Sequence, residues 1–169
     1  MMISNNDVRD EPPGIIKIIG IGQSLRGDDA AGLAAVRLWQ ETYQGETQRS
    51  DIQVELAELP GIGLLNLLEG SRIAILVDAV RSEATPGTIH LLSGDQLEAF
   101  TGGTSSAHGW GVAETLALVQ KLMPLIIPKK LLLVGIEASD ISLGESLSPA
   151  VERALPMAAL IIEMLAAER

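Results

Sequence analysis

Cysteine is absent from this chain of 169 residues. That lack removes disulfides, thiolate zinc sites and a cysteine nucleophile, and it suits a reducing compartment, with the cytoplasm as the default. Aromatic residues are nearly as scarce, at 2%, so the core must be built from Leu, Ile, Val and Ala. Positive charge is short as well. Twelve Lys and Arg stand against 22 Asp and Glu, a formal net charge of −10, and no basic block occurs anywhere. Nucleic acid and anionic membrane surfaces are therefore poor partners. No apolar run approaches the roughly 20 residues that a membrane span needs. The first 14 residues, Met1 to Gly14, are polar and lack the apolar stretch of a signal peptide. They are expected to form a short frayed tail ending in Pro12-Pro13-Gly14.

What remains is ordinary globular material. Hydrophobic residues make up 47% of the chain, and its length is most simply one domain, residues 15–169, with a real core. The stretch around which it is organised runs from Ile15 to Gly32. A β-branched run, Ile15 to Ile21, reads as a buried strand, and Gly20 and Gly22 allow a tight turn at its end. Asp28 and Asp29 follow where a helix begins, roughly Asp28 to Thr42, with Ala31, Ala35, Leu38 and Trp39 at helical spacing.

Further along, Asp51 to Ala57 alternates like a strand with one wet face near a sheet edge. Leu64 to Glu69 is a short helix closed by Gly70. Ile73 to Val77 is a continuous apolar run, a central parallel strand, with Asp78 at its end. Thr88 to Leu92 returns after too short a connection for a parallel crossover, so it is expected antiparallel to its predecessor. Ser93 to Gly109 has little periodicity beyond a turn at Asp95 to Phe100, and a loop of that length is usually functional or mobile. Gly111 to Met123 is an amphipathic helix and Lys130 to Ile136 a second buried strand. Ser148 is an N-cap with Pro149 at the first helical position of a last helix reaching about Ala167. Pro156 should bend or loosen it. Alternating strands and helices imply a three-layer αβα fold. Its sheet has about five strands, mostly parallel, with one antiparallel.

Asp29, Asp78 and His108 share a position type: each follows or ends a strand, or lies in the long loop. Two carboxylates and one imidazole suit a borderline divalent metal with open positions left over. Each also has a plainer reading, as a helix cap, a turn residue or a solvated loop histidine. His90 lies in a strand facing solvent or a neighbour. Gly20-Ile21-Gly22 begins like a dinucleotide fingerprint, but Leu25 stands where the third glycine belongs and the distant acidic residue is missing. Serine catalysis has no Gly-x-Ser-x-Gly elbow, and Ser105 or Ser106 would need His108 folded back on its own loop.

The chain resembles the hydrogenase maturation endopeptidases. The stretches that carry the likeness are Ile19-Gly20-Ile21-Gly22-Gln23-Ser24-Leu25-Arg26-Gly27-Asp28-Asp29-Ala30-Ala31-Gly32, Ile75-Leu76-Val77-Asp78-Ala79-Val80 and Pro86-Gly87-Thr88. Ser106-Ala107-His108-Gly109, Leu133-Val134-Gly135-Ile136-Glu137 and Leu147-Ser148-Pro149-Ala150-Val151 then follow in the family's order. The resemblance implies an aspartyl-type endopeptidase that removes a C-terminal extension from the large-subunit precursor of a nickel–iron hydrogenase. It also implies that Asp29, Asp78 and His108 bind nickel held by the precursor itself. Asp28 is then expected to cap its helix or to support the ligands from behind, and Glu137 to line the same cleft. The rival expectation is a non-enzymatic nickel-sensing assembly chaperone for the same precursor. Two departures stand out. Gln23 replaces the family's usual Asn, and the Gly-Gly-Thr segment after the second strand is replaced around Ala57-Glu58-Leu59, with only Gly61 retained.

Overall fold

A computed structural model describes residues 14–58, 61–101, 112–144 and 146–168. The elements in chain order are β1 (Ile15–Gly22), α1 (Ala31–Thr42), α2 (Gln44–Thr47), β2 (Ile52–Glu58), α3 (Leu64–Leu68) and β3 (Ser71–Val80). There follow β4 (Ile89–Ser93), α4 (Leu97–Thr101), α5 (Val112–Leu122), β5 (Lys130–Glu137) and α6 (Pro149–Ala166). A 3₁₀ turn, Gly27–Ala30, leads directly into α1. The frayed-tail expectation for the N-terminus lies outside the described residues, apart from Gly14.

The strands form one sheet in the order β2-β1-β3-β5-β4. β1 pairs parallel with β2 and β3, β3 pairs parallel with β5, and β4 alone runs antiparallel. β2 is an edge strand with its side chains largely exposed, as its alternation implied. β4 runs opposite to β3 as expected, and its hydrogen-bonded neighbour is β5, which is inserted between them. The short connection forbade a parallel crossover without requiring a hairpin.

Two apolar layers clothe the sheet. On one face Ile16, Ile18, Ile75, Val77, Val134 and Ile136 meet α1 and α6 through Ala35, Trp39, Ala158 and Ile162. On the other face Ile19, Leu76, Leu131 and Leu133 meet α3, α4 and α5 through Leu64, Leu68, Leu97 and Leu116. The central strands are buried on both faces, so they read as continuous apolar runs. α6 begins where expected, with the Ser148 hydroxyl accepting from the N–H of Val151 at 3.5 Å, and it continues through Pro156 to Ala166.

Candidate functional site

The site forms where the strand order reverses. From the end of β1 the chain turns onto the α1 face. From the end of β3 it leads towards β4, α4 and α5 on the other face. The carboxyl ends of β1 and β3 therefore flank a crevice, the usual ligand position in an open α/β sheet. Asp29 and Asp78 stand at this crevice.

Glycine makes the approach possible. A Cβ on Gly32, in the first turn of α1, would lie 2.1 Å from the carbonyl oxygen of Val77 and 2.4 Å from that of Ile21. A Cβ on Gly22 would lie 2.0 Å from the carbonyl oxygen of Asp29. Only residues without side chains let the start of α1 close onto the strand ends. Gly22 thus serves packing within the chain, the role for which a dinucleotide fingerprint needs a glycine at the position held by Leu25. The β1–β3 ladder ends at Gly20 opposite Val77, whereas β3 remains paired with β5 through Val80. Asp78 is therefore not beyond its strand. It is the first residue of β3 left free on the β1 side, and Asp29 lies there.

The electrostatics show that the two carboxylates feel each other. Burial pushes the Asp78 carboxyl well above the usual carboxylate range, and the charge of Asp29 pushes it further. Glu114 in the first turn of α5 adds to the same effect, and the backbone N–H of Ala79 only partly offsets it. Asp29 is raised as well, by burial, against the opposing pull of the Arg26 guanidinium. The Arg26 Nε is itself tied to the carbonyl of Ile141 at 3.3 Å. Two carboxylates partly removed from water, with repulsion between them, are the environment in which a cation or a shared proton is most favourable.

Asp28 behaves differently from the expectation that it caps its own helix. The 3₁₀ turn has no side-chain cap. Instead the fully buried Asp28 carboxylate accepts from the backbone N–H groups of Ser139 (2.7 Å), Asp140 (3.0 Å) and Ser148 (2.6 Å). Burial pushes its pKa up. Hydrogen bonds from the backbones of Asp140, Ser148 and Ser139 and from the Ser148 hydroxyl outweigh this and hold it below the ordinary range. Asp28 also donates its own N–H to the carbonyl of Asp140 at 2.8 Å, and Gly27 donates to Gly144 at 2.7 Å. It therefore fastens the first loop to the segment leading into α6. Its partners lie more than 100 residues away in sequence, beyond the reach of any local pattern.

His108, with Ser105 and Ser106, lies outside the described residues. Among those described, no group of three His, Asp or Glu side chains could hold a metal ion. Val112, four positions after His108, opens α5, and Glu114 two residues later acts on Asp78. Glu137 lies on the face that carries Asp78, but its carboxylate is engaged by Ser82 and His90. At the replaced segment, Glu58 ends β2 and accepts a hydrogen bond from the Ser24 hydroxyl. Leu59 lies outside the described residues.

The profile of the family described as HycI, hydrogenase maturation protease, matches residues 50–165. The chain is 30% identical to the hydrogenase expression/formation protein HupM of Azotobacter chroococcum mcd 1, over 91% of this chain and 72% of that one. It is 29% identical to the hydrogenase expression/formation protein HupD of Rhodobacter capsulatus, over 82% of this chain but 65% of that protein's length. Among solved structures, the [NiFe] hydrogenase maturation protease HybD from Thermococcus kodakarensis superposes with a TM-score of 0.68 at 28% identity, covering 90% of this chain and 99% of that one. The chain belongs to the hydrogenase maturation protease family, a family of peptide-bond hydrolases.

Proposed function

We propose that this chain is the endopeptidase that removes the C-terminal extension from a nickel-loaded nickel–iron hydrogenase large-subunit precursor. One observation carries the reading: Asp29 and Asp78, 49 positions apart in sequence, meet at the crevice between β1 and β3, where the charge of Asp29 disfavours the charged form of the buried Asp78. That repulsion is relieved when a cation enters. The nickel belongs to the precursor, held by the precursor's own ligands, and Asp29, Asp78 and His108 complete its shell. Carboxylate and imidazole are hard-to-borderline donors, so they read a partly coordinated nickel without stripping it from softer ligands. Cleavage is thereby conditional on metal insertion, which is a specificity device.

A nickel in that position supplies Lewis-acid assistance to the scissile carbonyl or to a water molecule. This chain's part is to hold the peptide bond beside the two carboxylates, one of which is placed to act as a general base. Among the described residues no helix is long and apolar enough to cross a membrane. The proposed compartment is the cytoplasm, which a chain free of cysteine suits.

The test is incubation of the purified protein with nickel-loaded precursor, followed by intact-mass spectrometry of the large subunit. The expected result is loss of the C-terminal extension in the nickel-loaded sample and none in a nickel-free one. Precursor that binds and is never shortened would replace the protease reading with that of a nickel-sensing assembly chaperone.

A further inference from the structure

Beside the aspartate pair lies a second polar cluster, built from Ser82, His90 and Glu137. Glu137 is among the few charged groups buried in the fold, with 2% of its surface exposed. Its Oε1 accepts from the backbone N–H of Ser82 at 2.8 Å. Its Oε2 accepts from the Ser82 hydroxyl at 2.7 Å and lies 3.0 Å from Nε2 of His90. The hydroxyl and the imidazole thus converge on one carboxylate oxygen.

The contacts assign the tautomer of the ring. Nε2 faces a carboxylate oxygen, an acceptor while Glu137 is ionised, so we assign it the proton and the donor role. The 3.4 Å separation of Nε2 from the Ser82 hydroxyl follows from both groups addressing Oε2. A serine nucleophile needs a ring nitrogen free to take its proton, and Nε2 is committed elsewhere, so this is not a Ser-His-Glu triad. What the cluster leaves open is Nδ1, which has no hydrogen-bond partner among the described residues. The ring rests against Phe100 of α4, with centroids 5.3 Å apart and planes tilted by 59°, and 19% of the side chain remains exposed.

Register places this ring in the row that holds Asp78. Asp78 pairs with Gly135 across β3 and β5, and Gly135 pairs with His90 across β5 and β4. All three share the sheet face covered by α3, α4 and α5. With strands about 4.8 Å apart, the Cα atoms of Asp78 and His90 are about 10 Å apart, the span of about three residues of extended peptide. β4 runs antiparallel, so His90, second in its strand, sits at the same end of the sheet as the crevice.

We infer that His90 is a peptide-binding residue of this cleft: Glu137 and Ser82 hold the ring by Nε2, and Nδ1 hydrogen-bonds the main chain of the precursor about three residues from the bond that is cut. The inference rests on the protease reading for the identity of the peptide. Nδ1 accepts from an amide N–H when the ring is neutral and donates to a carbonyl when it is protonated, so a peptide backbone offers a partner in either state. A purely structural role would use only Nε2, clamping the β3–β4 connection to β5.

The two ring nitrogens can be separated by substitution. The amide of His90→Gln reaches the place of Nε2 and keeps the bond to Glu137. The amide of His90→Asn reaches the place of Nδ1. For His90→Gln we expect a melting temperature lowered only slightly, by the lost ring contact with Phe100, and Kd and KM for nickel-loaded precursor raised about 5- to 10-fold, the worth of one uncharged hydrogen bond, with kcat little altered. His90→Asn should bind precursor close to wild type while melting lower. A His90→Gln protein with wild-type Kd overturns the inference, whatever asparagine does. A second measurement needs no variant. The chain has two histidines, and the His90 ring resonance of ¹⁵N-labelled protein should move on addition of a synthetic peptide spanning the cleavage site; an unmoved ring also overturns it. Failure of the protease reading shows separately, as wild-type protein that binds precursor without shortening it, in which case the Kd of His90→Gln still decides. Wild-type protein that does not bind precursor sinks both.

Discussion

Asp28 and Asp29 are adjacent in sequence and opposite in circumstance. Both are pushed towards the protonated form by burial. Asp28 meets backbone N–H groups on both of its oxygens, and its pKa ends below the ordinary range. Among the described residues Asp29 has only the Arg26 guanidinium to offset burial, and its pKa stays above that range. The difference separates a carboxylate whose charge is satisfied within the fold from one whose charge awaits a partner. The first is a structural rivet. The second, with Asp78, is the proposed site.

The largest test of that separation is on the open side. Asp29→Asn and Asp78→Asn should each lower processing of nickel-loaded precursor by about 10²- to 10⁴-fold, the range for loss of a group acting on the reacting bond. Both should fold normally. For Asp78→Asn the sign of the stability change is opposite to that usually expected of a lost carboxylate. A pKa raised in the folded state means that wild-type stability falls as pH rises from the unfolded value, about 4, towards the raised folded one. Asp78→Asn should therefore match or exceed wild type in urea melts at pH 7, and the gap should close on acidification.

Gly32→Ala comes next, because it attacks the closure of α1 rather than either charge. Its Cβ would have to displace the Val77 and Ile21 carbonyls, at a cost of about 3 kcal/mol. It should also lower processing per folded molecule by shifting Asp29 from Asp78. An alanine variant with wild-type stability and rate would mean that the two aspartates are not held together by this contact.

Asp28→Asn is the counterpart on the closed side. Replacing one acceptor oxygen by a donor leaves buried N–H groups unpaired and should cost about 2 kcal/mol, with processing per folded molecule near wild type. Since the folded pKa of Asp28 is depressed, its contribution is fully present above the unfolded value of about 4 and is lost as pH falls through the folded one. The stability gap between wild type and Asp28→Asn, measured by urea melts across pH, should shrink in that acid window and be constant above it. The smallest effect is expected from Ser148→Ala, about 1 kcal/mol for the lost N-cap, read in the same melts.

These contrasts show what the chain displays locally and what it does not. The β1–turn–α1 unit was legible because apolar periodicity switches from continuous to helical across two glycines. The start of α6 was legible because Ser148 and Pro149 are local signals of a helix start. The neighbour of β4 was not, since insertion of β5 between β3 and β4 leaves no mark near either strand. The role of Asp28 was hidden for the same reason: its partners Ser139, Asp140 and Ser148 arrive from the far end of the chain. Residue spacing treated Asp28 and Asp29 alike, and only family resemblance ranked them. The structure distinguishes the two in physical terms: three backbone N–H groups hold the Asp28 carboxylate, and none of these reaches Asp29. His90 read as a strand residue facing solvent or a neighbour. Its neighbour Glu137 lies 47 positions away, so the cluster emerges only once the register of β3, β5 and β4 is known.

The most direct measurement is the rate at which Asp29→Asn and Asp28→Asn, each shown by melting to be folded at the assay temperature, shorten nickel-loaded precursor in an intact-mass time course. Little or no product from Asp29→Asn beside a near wild-type rate from Asp28→Asn is the predicted result. Equal rates from the two variants, whether both intact or both lost, would contradict the division of labour between the two aspartates.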